Sequence, residues 1–272
     1  MEISTTKVKT YKGCRREYMF KYIERLVPVE TSEALEDGKT YHNCLEQLYN
    51  EGWYEEPTNP KIKAMVRAYE RYIFPQIAVI QAEVPFEYQI SKSHKLVGRF
   101  DGIAEDGYPI EHKTTSYDID DAYLYRLYWD EQVLNYMLVS GTRKIHYTAI
   151  KKPTIRQKKE ETEEEFFKRC VEWYEEDTST KIGTFIVERT EQEIEEQRKQ
   201  LVAIAGEMEK CKNFYTNPSH CQQYGRDCPY KSICLHYSSG LEYVEFIKED
   251  MQDDISKHQR VYKNSNNGTT IL

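Results

Sequence analysis

The sequence predicts an α/β fold, and three observations lead to it. Apolar residues recur at helical spacing through the first part of the chain. The pattern then switches to alternation at Val84, Phe86, Tyr88 and Ile90. From there short apolar strands alternate with amphipathic helical stretches.

Residues 4–26 and 33–52 read as helices. In the second, His42, Leu45, Leu48 and Tyr49 share one face, which turns His42 inward. Residues 60–79 continue the helical spacing through Ile62, Met65, Val66, Tyr69 and Ile73. Leu96 to Ala104 and Tyr108 to Thr115 read as two strands around Glu105-Asp106-Gly107, a turn whose glycine tolerates a positive φ. Asp120 to Ser140 reads as one long aromatic-rich helix closed by Gly141, and Lys144 to Lys151 as a further strand, so a helix crosses between strands. A charged helix near 160–177, a strand near 182–189 and a helix over 190–212 follow, and Lys263 to Thr270 reads as a frayed tail.

At 272 residues, 39% apolar and 31% charged, the chain suits one large compact body. No apolar run is long enough for a membrane-spanning helix, so no membrane partner is expected. The opening MEISTTKVKTYKGCRRE lacks the apolar core of a secretion signal. A reducing cytoplasm is therefore expected, with the seven cysteines outside disulfides. The net charge of -8 argues against nucleic acid only if charge is spread evenly. Arg143 to Lys159 holds seven Lys or Arg and no acid, which suits a solvated loop or a phosphate-tracking surface equally well. The 23 tyrosines suit core packing for the most part, and a tyrosine-rich surface can also stack on unpaired bases.

The hairpin carries the chemistry. Asp101 is followed ten positions on by Glu111, with Lys113 two beyond; strand alternation puts Glu111 and Lys113 on one face and His112 on the other. A three-residue loop centred on Asp106 sets Asp101 opposite Glu111, and a two-residue loop offsets them by one. Two carboxylates held close repel unless a hard divalent cation such as Mg²⁺ or Mn²⁺ sits between them. A cation there, with Lys113 beside it, suits phosphodiester hydrolysis. A surface hairpin with a plain Glu–Lys pair would show the same spacing.

Near the C-terminus stand Cys221, Cys228 and Cys234, with Cys14 far upstream; four thiolates could complete a metal or cluster site. The spacing differs from the paired C-x₂-C of a zinc ribbon, and His220 and His236 keep a mixed zinc site open, so spacing leaves zinc and iron–sulfur comparable. Cys44, Cys170 and Cys211 read as ordinary thiols.

Gly98, Arg99, Asp101, Ile103, Glu111, Lys113 and Thr114 together resemble the core motif of the PD-(D/E)XK nuclease superfamily, specifically its RecB-like branch. The resemblance implies a restriction-endonuclease-like central mixed sheet flanked by helices, with a helical N-terminal part and a C-terminal iron–sulfur segment. It implies His42 as a metal ligand beside Asp101, Glu111 and the backbone carbonyl of His112. Gln132 and Tyr136, one helical turn apart, match a pair that touches substrate phosphate or steadies the site. One early and three late cysteines resemble the CRISPR-associated four-cysteine exonucleases and the AddB nuclease domain, which implies a structural [4Fe–4S] cluster on Cys14, Cys221, Cys228 and Cys234. Glu83 resembles a further acidic position, but Glu87 lies nearby and the sequence does not separate them. Glu111-His112-Lys113 departs from the commoner Asp-Tyr-Lys or Asp-Phe-Lys, and glutamate keeps the ligand chemistry.

These readings divide the chain into an N-terminal helical region over 1–60, a nuclease core over 61–215, a cluster segment over 216–240 and a tail over 241–272. They imply a metal-dependent exonuclease acting on DNA that is single-stranded or has free ends, in recombination, repair or DNA processing. The alternative is a non-catalytic iron–sulfur or zinc scaffold that binds nucleic acid. Nothing reads G-x-x-x-x-G-K-[ST], so a helicase, recombinase or other DNA-processing protein is the expected partner wherever a motor is needed.

Overall fold

The computed structural model describes residues 1–28, 32–223, 226–236, 246–248, 263–264 and 269–270. In chain order the elements are β1 (Glu2–Ile3), α1 (Thr5–Gly13), α2 (Arg15–Tyr18), a π-helical turn at Met19–Ile23, β2 (Leu26–Pro28), α3 (Glu33–Glu51) and α4 (Pro60–Tyr72). They continue with β3 (Val79–Gln89), β4 (Lys95–Ala104), β5 (Pro109–Thr115), α5 (Asp121–Leu127), α6 (Glu131–Ser140) and β6 (Lys144–Lys151). Then come α7 (Glu163–Glu176), β7 (Ile182–Glu188) and α8 (Glu191–Lys210). No described helix is long and apolar enough to cross a membrane.

The chain divides into two compact units. The larger comprises 33–86, 99–197 and 260–272. Its sheet is mixed: β3 lies beside β4, β4 pairs antiparallel with β5, β5 parallel with β6, and β6 antiparallel with β7. A parallel β5–β6 pair needs a crossover, and α5 and α6 supply it. The core is built from the apolar stripes of α3, α4 and α7 against β5 and β6, including Tyr41, Leu45, Met65, Tyr69, Ile110, Ile150, Phe166 and Tyr174. Each such aliphatic or aromatic side chain contributes about 1.5–3 kcal/mol on burial. A capping box between Thr162 and Glu165 starts α7 after the basic stretch. In that stretch Arg143, Lys144, Lys151 and Lys152 are ion-paired with Glu191, Glu188, Asp118 and Asp37, so much of its charge is already answered within the chain.

The smaller unit comprises 1–32, 87–98 and 198–259. Its apolar centre holds Met19, Phe20, Leu26, Tyr230 and Ile233, with the Tyr230 hydroxyl donating to the Leu26 carbonyl at 2.7 Å. Residues Glu2 and Ile3 pair parallel with Lys95 and Leu96, and Phe246–Lys248 runs antiparallel to Leu26–Pro28. Most of the C-terminal tail lies outside the described residues; Lys263–Asn264 and Thr269–Thr270 pair with each other.

Three sequence expectations are corrected. The helix expected over 4–26 breaks at Cys14, whose backbone is extended (φ -153°, ψ 115°). Distant groups take up the bonds that the break frees: Asn217 Nδ2 donates to the Gly13 carbonyl at 2.7 Å, and the Arg16 N–H and Nε donate to the carbonyls of Tyr215 and Phe214. The helix expected over Asp120–Ser140 is two, because Asp130 is extended and its side chain caps α6 by accepting from Gln132 N at 3.0 Å. The helix over 60–79 stops at Tyr72, because Pro75 has no N–H to continue its ladder; a 3-10 turn at Phe74–Gln76 follows, and β3 begins at Val79.

Candidate active site

The β4–β5 turn is the three-residue form. Ala104 N donates to the Tyr108 carbonyl and Gly107 N to the Ala104 carbonyl, both at 2.9 Å, and Gly107 takes φ +82°. Gly102 pairs with Ile110 and Ile103 with Pro109, so one step further along this register Asp101 faces Glu111. There the backbone ladder gives way to a side-chain bond, in which His112 N–H donates to Asp101 Oδ2 at 2.7 Å. Gly102 leaves room for β3 to approach: a Cβ at this position would lie 3.2 Å from the Gln81 carbonyl oxygen, closer than ordinary contact.

On β5 the alternation separates the side chains as expected. Glu111 is buried, at 1% exposure, and its two oxygens meet Lys113 Nζ and Gln132 Nε2, the latter at 2.8 Å. Lys113 Nζ also donates to Gln132 Oε1 at 3.0 Å, so one amide bridges the acid and the base. Gln132 Nε2 reaches Tyr136 Oη at 3.2 Å, and that hydroxyl donates to the Arg99 carbonyl at 2.6 Å. His112 points to the other face. Its Nδ1 lies 2.7 Å from Thr148 Oγ1, and its ring stacks on Tyr49 and meets the edge of Tyr69.

The inward face of α3 brings His42 to this centre. His42 Nδ1 lies 3.9 Å from Glu83 Oε1 and 3.9 Å from Asp101 Oδ1, and the three ligand atoms lie within 4.8 Å of one another. Arg99 Nη1 balances Glu83 at 3.3 Å. Burial first, and then the Glu111 charge, push the Asp101 carboxyl up to about 7. Burial opposes the charge on Lys113, yet Glu111, Asp130 and Asp101 outweigh it and raise its pKa. Burial likewise works against a charged His42, and Glu83, Asp101 and Glu111 reverse that, so its pKa is raised. Buried carboxylates that repel one another, with an imidazole aimed at them, form a donor set of oxygen and nitrogen that fits a hard divalent cation.

The structure thus brings His42, Asp101, Glu111, Lys113, Gln132 and Tyr136 together. It also separates the two acids that the sequence could not. Glu83 joins His42 and Asp101, whereas Glu87 pairs with Lys95 at 2.8 Å. Strand parity could not have found this. Glu83 has φ +50° inside β3, a bulge-like break in the alternation that re-aims its side chain.

In the smaller unit Cys14, Cys221, Cys228 and Cys234 line one small cavity, of about 20 Å³, with Phe20 and Tyr230 in its wall. All four are thiols outside disulfides. The chain fold gathers them locally: Cys228 N–H donates to the Cys221 carbonyl at 2.9 Å, and Cys234 N–H to that of Tyr230 at 2.9 Å. Burial pushes the Cys228 thiol up to about 12, against a backbone hydrogen bond at Tyr230 that lowers it and with Glu17, Cys14 and Cys221 adding to the rise. Four soft thiols on one cavity are donors suited to a thiophilic metal or cluster, zinc or iron–sulfur.

A model of the PD-(D/E)XK nuclease superfamily matches residues 2–235. No curated protein matches the chain by sequence. Among solved structures, a putative exonuclease from Eubacterium rectale is 14% identical with a TM-score of 0.50, over 77% of this chain and 79% of that one. A protein known as SSO0001 is 16% identical with a TM-score of 0.44, over 86% and 85%. An alkaline exonuclease from Laribacter hongkongensis is 11% identical with a TM-score of 0.35, over 77% and 88%. At 14% identity the first of these likenesses is one of fold.

Proposed function

The chain belongs to the PD-(D/E)XK nuclease superfamily, and on that premise we propose that it is a divalent-cation-dependent deoxyribonuclease of the RecB-like branch, acting as an exonuclease at DNA ends. The observation that carries the reading is the meeting of His42, Glu83 and Asp101 beside the Glu111–Lys113–Gln132 network.

His42, Asp101, Glu111 and the His112 carbonyl would hold Mg²⁺ or Mn²⁺, with Glu83 as a further oxygen donor. The chemistry such a cation supplies when bound is polarisation of a phosphoryl oxygen and acidification of the attacking water. In hydrolysis the water oxygen bonds to phosphorus, the bond from phosphorus to the leaving sugar oxygen breaks, and the water's proton passes to solvent or to that oxygen. Lys113 keeps its proton at neutral pH, because the surrounding acids raise its pKa. Its role is therefore to stabilise negative charge growing on the phosphoryl oxygens. Gln132 holds that ammonium in place, and Tyr136, whose hydroxyl is committed to Gln132 and the Arg99 carbonyl, holds Gln132. Both act as positioning residues.

Cys14, Cys221, Cys228 and Cys234 would carry a [4Fe–4S] cluster with a structural role, tying the α1–α2 break to the C-terminal segment. The four thiols on one cavity support this part of the reading.

The test is anaerobic purification followed by incubation of wild type and Lys113→Ala with end-labelled linear DNA and covalently closed circles, in Mn²⁺, Mg²⁺ and EDTA. Loss of label from linear DNA, sparing of circles, and no cutting in EDTA or in the variant are expected. Binding without cutting in every cation would overturn the nuclease reading. A brown protein absorbing near about 400 nm with iron and sulfide in equal amounts is expected for the cluster; a colourless zinc protein would overturn that assignment alone.

A further inference from the structure

The nuclease reading of the centre leaves an aromatic surface beside it without a role. Between 117 and 129 the chain exposes Tyr117 (49%), Tyr125 (67%), Tyr128 (55%) and Trp129 (71%). Helix α5 buries Tyr123 and Leu127, one turn apart, so its inner face is already satisfied and the outer rings are not needed for packing. Large rings turned to water in one short segment mark a contact surface more often than chance exposure does.

Two of the rings, Tyr117 and Tyr128, are held in place. The guanidinium of Arg126 lies over Tyr117 at 4.7 Å and over Tyr123 at 5.5 Å, and that of Arg189 lies over Tyr128 at 4.5 Å. Arg189 Nη2 also donates to the Leu127 carbonyl at 2.9 Å, and Trp129 N–H to the Arg126 carbonyl at 3.0 Å, which fixes the turn that presents Trp129. The next residue, Asp130, accepts from Gln132 N at 3.0 Å, and Gln132 grips Glu111 and Lys113. Three residues span at most about 10 Å between the Cα atoms of Trp129 and Gln132.

We propose that Tyr117, Tyr125, Tyr128, Trp129 and Arg126 form a stacking platform for unpaired bases next to the phosphate being cut, so that the substrate is DNA with a single-stranded end. This rests on the nuclease reading of the neighbouring centre. Aromatic faces stack on any unpaired base, and an arginine lying flat on a ring offers both a stacking surface and a charge for phosphate. A duplex keeps its bases stacked on each other and offers the platform only its backbone. Two of the nearby acids are engaged within the chain: Asp118 pairs with Lys151 at 2.6 Å, and Asp120 caps α5 through Tyr123 N at 2.8 Å; the exposed Asp121 leaves a negative charge at the start of α5.

Trp53, Trp129 and Trp173 are the tryptophans of the sequence. A Trp53→Phe/Trp173→Phe chain therefore reports on Trp129 alone. Titration in EDTA with oligo(dT) should quench its fluorescence, whereas a blunt hairpin duplex should not. In the wild-type background, Tyr125→Ala/Trp129→Ala should weaken oligo(dT) binding, read by anisotropy, by roughly tenfold or more, in line with losses seen when stacking rings are removed. Its melting temperature should stay unchanged, since both side chains are exposed. Unaltered affinity and unquenched fluorescence would overturn the platform. So would a dimeric wild type that Trp129→Ala turns monomeric, because the rings would then serve a second copy. Failure of the nuclease reading shows separately, as absence of cutting in Mn²⁺ with binding in EDTA intact.

Discussion

The backbone N–H of His112 donates to Asp101 Oδ2 at 2.7 Å at the point where the β4–β5 ladder ends. One carboxylate oxygen is thereby fixed, and the other, Oδ1, is turned towards His42. The hairpin sets the ligand's direction as well as its neighbours, and its consequences can be measured.

Asp101→Asn keeps an acceptor for His112 N–H and removes the charge. A buried carboxyl whose pKa is pushed up to about 7 destabilises the cation-free fold when ionised. The variant should therefore melt higher than wild type without added cation, by about 4 °C or more. It should lose the rise in melting temperature that Mn²⁺ gives wild type, and lose cleavage by at least about a hundredfold. Scanning calorimetry with and without Mn²⁺, alongside a cleavage assay, checks all three; equal stabilisation of both proteins by Mn²⁺ would remove Asp101 from the ligand set.

The same carboxyl gives a pH dependence whose sign is determined. Its pKa in the fold lies above its ordinary 3.8, so its contribution to stability is present below about pH 4 and is lost as pH rises through about 7. Cation binding needs the ionised form and runs the other way. Mn²⁺ affinity should climb from pH 6 to 8, with a proton from Asp101 and a second from His42, whose pKa is also raised, released per cation near pH 6. Isothermal titration in buffers of different ionisation enthalpy counts those protons, and a flat profile would contradict the raised pKa values.

Gln132→Ala and Tyr136→Phe should separate positioning from stability. Gln132 is partly exposed and Asp130 can still cap α6, so its loss should spare the fold but free Lys113, lowering kcat by roughly ten- to a hundredfold. Tyr136→Phe leaves the buried Arg99 carbonyl without its donor, which costs about 1–3 kcal/mol of stability by urea unfolding. Its effect on kcat should be the smaller of the two. The reverse order would place the tyrosine hydroxyl on the substrate.

Glu83 occupies backbone space that favours glycine, with φ +50°. Glu83→Gly should be more stable than Glu83→Ala by about 1 kcal/mol, because only glycine adopts that φ without strain. Both should weaken Mn²⁺ binding equally if Glu83 is a ligand. Chemical unfolding and cation titration of the pair test the strain and the ligand role independently.

What the sequence by itself determined is local. The period of alternation put Glu111 and Lys113 on one face of β5 and His112 on the other, the hairpin brought the Asp101 and Glu111 carboxylates near each other, and helical spacing turned His42 inward. Each follows from a repeat of two or 3.6 residues acting over a few positions. The choice of the three-residue turn, which sets Asp101 directly opposite Glu111, came from the structure. The break of the first helix at Cys14, the division of the Asp120–Ser140 stretch at Asp130, and the choice of Glu83 over Glu87 were decided by tertiary structure. At Cys14 carbonyl and amide partners some 200 residues away, Asn217 to Gly13 and Tyr215 to Arg16, satisfy the broken helix. In β3 a positive φ at Glu83 cancels the parity that would otherwise treat both glutamates alike. Periodicity records which way a side chain points when the backbone is regular. Where the backbone departs from regularity, distant hydrogen bonds and close strand packing offset the cost, and those partners meet only once the chain has folded.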